Sequence, residues 1–233
     1  MRYHCVLKFY TIFMLLTEKL DTAGEHPFVF TGAQGVLEAI LTVPPHLNDN
    51  YVAFLGHPHS LQGGTMNNKV VTTLSRVFKE LGIPSLRFNF RGVGQSSGSY
   101  DSGLGESEDM LDLVRRWQHE KENSKMFFAG FSFGSYVAYR AAAQCPHEML
   151  ITIAPPVHHY NYHEFQPAPY PWLIVQGDED EVVPASVVFD FAKESASTLP
   201  VIRLADTGHF FHGKLLDLKA QLIDAIRRQV TVL

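Results

Sequence analysis

Lys125-Met126-Phe127-Phe128-Ala129-Gly130-Phe131-Ser132-Phe133-Gly134-Ser135 is the stretch whose reading decides the fold of this chain. The apolar run 126–129 has the length and character of a buried strand, and residues 136–143, rich in alanine, favour a helix. Between them, Gly130-Phe131-Ser132-Phe133-Gly134 fits G-x-S-x-G, a sharp strand-to-helix turn with a serine at its apex. In such a turn the strand and helix backbones nearly touch, which demands glycine on both sides, and the serine takes a strained conformation that lifts its Oγ clear of the sheet. An exposed hydroxyl on a rigid support is what a nucleophile needs. The five-residue pattern alone is weak and also fits a plain glycine-rich turn, so the rest of the chain has to decide.

Outward from that turn, strands alternate with helices. Residues 28–30 and 36–41 read as two strands joined by a glycine-bearing turn through 31–35, hence a hairpin at a sheet edge. Residues 51–55, 86–90, 149–153, 172–175 and 201–204 read as further strands. Helical spacing places Val70, Val71, Leu74, Val77, Phe78 and Leu81 on one face, and Met110, Leu111, Leu113, Val114 and Trp117 on another. Pro184 opens a helix running to about Ala196, and residues 214–229 close the chain as an amphipathic helix carrying Leu215, Leu218, Leu222 and Ile226. This alternation predicts an α/β fold: a mostly parallel eight-stranded sheet with helices on both faces and active groups on loops at the C-terminal ends of the strands.

Composition narrows the class. The 233 residues, 45% hydrophobic, suit one domain with a single large core. A net charge of −5 with no lysine or arginine block argues against nucleic acid and against a polybasic membrane patch. Cys5 and Cys145 are far apart and in no metal or redox spacing, which reads as reduced thiols in a cytoplasmic protein. Histidines cluster at His57 and His59 and again at His158, His159 and His163, but matching carboxylate or cysteine ligands are missing, so no metal is expected. Residues 1–26 read as an N-terminal extension outside the core, and 27–233 as the domain. The apolar run 9–16 is too short to span a bilayer, and no A-x-A cleavage site follows it; Met14 is a candidate later start.

A serine hydroxyl is protonated at neutral pH and needs a general base. Two histidines follow the last strand, His209 and His212; His209, directly after Gly208 on the loop, is favoured, since His212 would already enter the helix and point away. The base in turn needs an acid to fix its tautomer. The preceding loop offers Asp178, Glu179, Asp180 and Glu181, of which Asp180 is favoured over Asp178 because it lies past the first bend and before Pro184. A tetrahedral oxyanion needs two backbone donors. These are expected at the N–H of Phe133 and in the loop 56–64, where Pro58 has no N–H and His59 is the best candidate.

With these residues in place the chain resembles the small lid-less bacterial α/β-hydrolases, near dienelactone hydrolase and the serine-aminopeptidase-like esterases. The likeness runs from about Phe28 to Arg228. It rests on His57-Pro58-His59 with Gly63-Gly64-Thr65-Met66 and Asn68-Lys69-Val70-Val71, on Arg87-Phe88-Asn89-Phe90-Arg91-Gly92-Val93-Gly94, on the G-x-S-x-G block, on Gly177-Asp178-Glu179-Asp180, and on Gly208-His209-Phe210-Phe211-His212-Gly213. The resemblance implies an α/β-hydrolase fold without a lid domain, the triad Ser132, Asp180 and His209, no cofactor, and hydrolysis of a small ester or thioester through an acyl-enzyme. Relatives often carry H-G before the oxyanion residue, where this chain has His57-Pro58. The connection 154–171, where larger relatives insert a lid, is short but rich in aromatic residues and proline, and could wall a substrate pocket or pack over the sheet.

Three rival readings remain at this stage. Gly92-Val93-Gly94-Gln95-Ser96-Ser97-Gly98 follows a strand like a dinucleotide fingerprint, but Ser97 stands where G-x-G-x-x-G needs glycine, and loop continues to Gly105. A catalytically silent binding protein could share the fold, and an acyltransferase could share the site.

Overall fold

The computed structural model describes residues 15–195 and 198–230. Cys5 and the apolar run as far as Met14 lie outside the described residues. Strands β1 (Gly24–Gly32) and β2 (Gly35–Val43) form an antiparallel hairpin closed by the two residues Ala33 and Gln34, so both strands are longer and the turn tighter than the sequence suggests. Pro27 sits within β1 without penalty because β1 is an edge strand with one side unpaired. Next come β3 (Tyr51–Gly56), α1 (Lys69–Glu80), β4 (Ser85–Phe88), α2 (Leu104–Glu120), β5 (Lys125–Phe131) and α3 (Phe133–Ala142). The chain is completed by β6 (Met149–Ile153), β7 (Trp172–Gly177), α4 (Ala185–Glu194), β8 (Val201–Leu204) and α5 (Leu215–Gln229).

The eight strands lie in the order β1-β2-β4-β3-β5-β6-β7-β8, antiparallel at β1/β2 and β2/β4 and parallel from β4 onward. Every residue of β3, β6 and β7 is buried, as parallel strands covered on both faces require. One apolar layer gathers Val114, Trp117, Val137 and Val188 from α2, α3 and α4; the other gathers Val71, Leu74, Leu218 and Leu222 from α1 and α5. Among the described residues no helix is long and apolar enough to cross a membrane.

Two boundaries differ from the sequence reading. The core begins before residue 27: Leu16 is fully buried in the α2/α3 layer, the Thr17 N–H donates to Glu120 Oε2 at 2.8 Å, and β1 starts at Gly24. Strand β4 stops at Phe88: the Asn89 N–H still reaches β2, donating to Glu38 O at 3.0 Å, but Phe90 turns its N–H away from the sheet, to His57 Nε2 at 2.9 Å. The glycine-rich loop beyond them folds on itself through Gly92 N–H to Ser97 O (3.1 Å), and the next helix begins only at Leu104.

At the centre of the sheet three glycines bring backbones into contact. A Cβ on Gly130 would lie 2.1 Å from Gly134 O, one on Gly134 would lie 2.3 Å from the Gly56 carbonyl carbon, and Gly56 pairs with Gly130 across β3 and β5. Any side chain there would have to displace main chain. Gly134→Ala is therefore expected to lower unfolding free energy by about 2–3 kcal/mol. Leu16→Ala is expected to cost about 2–5 kcal/mol, measured by urea denaturation; an unmoved midpoint would put the segment before β1 outside the core.

Candidate active site

Ser132 sits between β5 and α3 with φ 52° and ψ −124°, a region that non-glycine residues rarely occupy. Its N–H donates to Ile153 O at the end of β6 (2.8 Å), and its carbonyl accepts from the Ser135 N–H (2.9 Å) and from Ser135 Oγ (2.5 Å). The strain is thus held by neighbours on both sides.

His209 stands on the loop after β8, between Asp206 (φ 50°) and Phe211 (φ 54°), which bend the chain sharply around it. Its ring lies 5.0 Å from that of Phe131 and 5.1 Å from that of Phe210. Nδ1 is 2.8 Å from Asp180 Oδ2, and Nε2 is 3.2 Å from Ser132 Oγ. With Nδ1–H donating to the carboxylate, the lone pair of Nε2 faces the serine hydroxyl. The Asp180 side chain is fully buried, and a carboxylate tolerates this only when donors surround it. It has the N–H groups of Val182 (2.9 Å) and Val183 (2.7 Å) on Oδ1, and Gln176 Nε2 (3.1 Å) beside the imidazole on Oδ2. The two loops are pinned to each other by Asp178 N–H to Leu204 O and Glu179 N–H to Thr207 O, both 3.0 Å. A Cβ on Gly177 would lie 2.2 Å from Thr207 O, so glycine is required for that approach.

The structure brings Ser132, Asp180 and His209 together; Asp178 and His212 are exposed. His59 and Phe133 line the same cavity as Ser132, and neither backbone N–H meets an acceptor among the described residues. Sequence reasoning missed the groups that hold these parts. Gln176 braces the carboxylate, and His57 braces the loop carrying His59: its Nδ1–H donates to Pro58 O (2.7 Å), its Nε2 accepts from the Phe90 N–H, and its ring stacks on Phe90 at 3.9 Å. Both ring nitrogens are thereby used. Asn89 adds a second tie, accepting from the Met66 N–H (2.8 Å) and donating to Glu38 Oε1 (2.6 Å), and Arg91 grips Asp109 with two bonds of 2.7 and 2.8 Å. His57 and Phe90 are 33 positions apart, so no local signal reveals their contact.

The cavity beside Ser132 measures about 390 Å³. Its wall is a layer of rings, with His59 5.2 Å and Tyr160 5.5 Å from Phe133, and the lining includes Pro156, Val182 and Val183 but no lysine, arginine, aspartate or glutamate. Tyr160 comes from the connection 154–171, its hydroxyl 3.2 Å from that of Tyr100 and pushed above the usual tyrosine range by burial. The same connection is tied to α3 by the ion pair of Glu164 with Arg140. The short connection therefore packs on the scaffold and walls the cavity at once.

A mostly parallel sheet with an antiparallel start, a serine on a strained turn at the end of its central strand, and a histidine and carboxylate on the next loops define the α/β-hydrolase class. No protein-family model matches the chain. Among solved structures it is similar to an alpha-beta serine hydrolase homologue from Coxiella burnetii (41% identity, 88% of this chain and 98% of that one, TM-score 0.84). It is also similar to XC6422 from Xanthomonas campestris, an α/β serine hydrolase without a lid (38% identity, 91% and 98%, TM-score 0.86). An uncharacterized protein of Rickettsia prowazekii is 33% identical over 195 residues, 79% of this chain and 82% of that protein. The chain belongs to the family of lid-less α/β serine hydrolases.

His57 has a consequence for stability. Burial lowers its pKa from 6.5 to about 3, so below pH 6.5 the unfolded chain binds a proton that the native protein refuses. Stability supplied by the neutral ring is present above pH 6.5 and is lost as pH falls toward 3. At about 1.4 kcal/mol per pH unit, going from pH 7 to pH 5 should cost about 2 kcal/mol through this group alone. Urea titrations of wild type and His57→Asn at both pH values test this: the variant should show a flatter dependence, and equal slopes would remove the assignment.

Proposed function

We propose that the protein hydrolyses small, uncharged carboxylic esters or thioesters through an acyl-enzyme on Ser132, with His209 as general base and Asp180 as its orienting acid. The observation that carries this reading is the relay of 2.8 Å and 3.2 Å contacts from Asp180 through His209 to a serine on a strained turn. In the first step Ser132 Oγ attacks the carbonyl carbon as His209 Nε2 takes its proton, and the positive charge on the imidazole is stabilised by Asp180. The carbonyl oxygen becomes an oxyanion facing the N–H groups of Phe133 and His59, the first of them at the N-terminus of α3, whose dipole favours negative charge. Collapse breaks the bond to the alcohol or thiol, which leaves with the proton from His209. Water then gives a proton to His209 and attacks the acyl carbon; the second tetrahedral species collapses, Ser132 recovers the proton, and the acid departs. No step calls on a cofactor.

Support for an uncharged substrate comes from the cavity, whose lining has no lysine, arginine, aspartate or glutamate, while Asp178, Glu179 and Glu181 stand exposed on the adjoining loop. An anionic acyl group would lose hydration there without a lysine or arginine to offset it, and would meet the negative charge of that loop.

A fluorophosphonate probe should label wild type with the mass of one adduct on Ser132, and Ser132→Ala should take no label and lose about a thousandfold or more in kcat on p-nitrophenyl acetate while remaining folded. Turnover at the wild-type rate in that variant would end the proposal. The ester of succinic acid that keeps a free carboxylate, p-nitrophenyl hemisuccinate, should be cleaved at least about tenfold less efficiently than p-nitrophenyl butyrate. Equal kcat/KM values would rule out the neutral-substrate preference while leaving the serine mechanism standing.

A further inference from the structure

Tyr162 is a buried residue that the reaction scheme does not use, yet its hydroxyl reaches the base of the nucleophile turn. It lies 2.9 Å from Ser135 Oγ, which in turn lies 2.5 Å from the carbonyl oxygen of Ser132. Ser135 Oγ has one proton, and that proton goes to the carbonyl, which can only accept; the Tyr162 hydroxyl is therefore the donor in the other bond. Burial pushes that hydroxyl well above the usual tyrosine range, which favours the protonated form that can donate. The two bonds run in one direction, from Tyr162 to Ser135 to the Ser132 carbonyl, an arrangement in which each strengthens the next.

The Ser132 carbonyl and the Phe133 N–H belong to one planar peptide group and point in opposite directions. Whatever fixes the carbonyl therefore aims the N–H. The peptide follows a residue at φ 52° and ψ −124°, a conformation that lasts only when its surroundings over-determine it. We infer that Tyr162 is a positioning residue that, through Ser135, locks the Ser132–Phe133 peptide so that the Phe133 N–H is aimed at the developing oxyanion.

The ring of Tyr162 is itself buried and packed among other rings. It stacks on Trp172 of β7 at 5.9 Å and 23°, and meets Tyr139 of α3 at 5.0 Å and Phe191 of α4 at 5.9 Å. Two residues earlier in the same connection, Tyr160 forms the cavity wall. The segment at the place of a lid thus works from below the turn as well as beside the pocket: one tyrosine faces substrate and the other holds the donor. The inference rests on the serine mechanism proposed above and adds a residue to it.

The test compares wild type with Tyr162→Phe, Ser135→Ala and the double variant on p-nitrophenyl acetate, together with inhibition by an aryl trifluoromethyl ketone, whose adduct on the serine places an oxyanion against the same donors. Each single variant should lose about tenfold in kcat with KM within about twofold, and the ketone's inhibition constant should rise by a similar factor. The double variant should be no worse than either single one, since both cut the same chain. Tyr162→Phe keeps the ring and its packing, and the thermal midpoint reports whether the fold is retained; if it is not, Ser135→Ala alone decides. Unchanged kcat, a loss of kcat without weaker ketone binding, or additive losses in the double variant would each overturn the inference. A wild type that cleaves no ester and takes no fluorophosphonate overturns both readings; an active wild type matched by an equally active Tyr162→Phe overturns only this one.

Discussion

Main chain packed directly on main chain is the constraint from which the rest of this molecule follows. Gly56, Gly130 and Gly134 remove every side chain from the place where β3, β5 and the start of α3 meet, and carbonyl groups take the space that Cβ atoms would fill. Because α3 begins so close to the sheet, the chain between strand and helix has only one residue in which to reverse, and that residue is Ser132, forced to positive φ. Its hydroxyl is presented by geometry that the whole sheet enforces, and the bonds of Ser132 to Ile153 and Ser135 hold that geometry in place.

Around this turn two separate systems of polar contacts hold the loops. On one side, three protein donors and the imidazole meet the buried carboxylate of Asp180, and the loops after β7 and β8 are laced together by backbone bonds. On the other, neutral His57 and Asn89 hold the loop that carries His59, and the Arg91–Asp109 pair ties the segment after β4 to α2. Both systems place backbone N–H groups or lone pairs facing a cavity, and both depend on burial to make those bonds strong.

The connection 154–171 shows how a short segment can do the work of walls. Its rings pack on α3 and β7, and the same packing closes one side of the cavity and supports the turn beneath. A longer insertion would cover the cavity; here it stays open at the strand ends, and rigidity comes from aromatic contact and from the Arg140–Glu164 pair.

Much of this was legible in order and spacing. Alternating apolar runs gave the order of strands and helices because period and length are properties of local sequence, and the chain order serine, acid, histidine narrowed the site to Ser132, Asp180 and His209. Local reading failed where the answer lay across the fold. Leu16 seemed to belong to an extension because no periodic pattern surrounds it, yet it fills a gap in the α2/α3 layer; β4 stopped short because His57, far away in sequence, takes the Phe90 N–H. The choice of Asp180 over Asp178 and of His209 over His212 rested on position along a loop, and only folding shows which of each pair is buried and within bonding distance. The amino-acid sequence by itself determined the elements, their succession and the glycine-flanked serine, since these depend on neighbours along the chain. The bracing by Gln176, His57 and Tyr162 was decided only by tertiary structure, because a hydrogen bond between distant residues exists only once the sheet has brought them side by side.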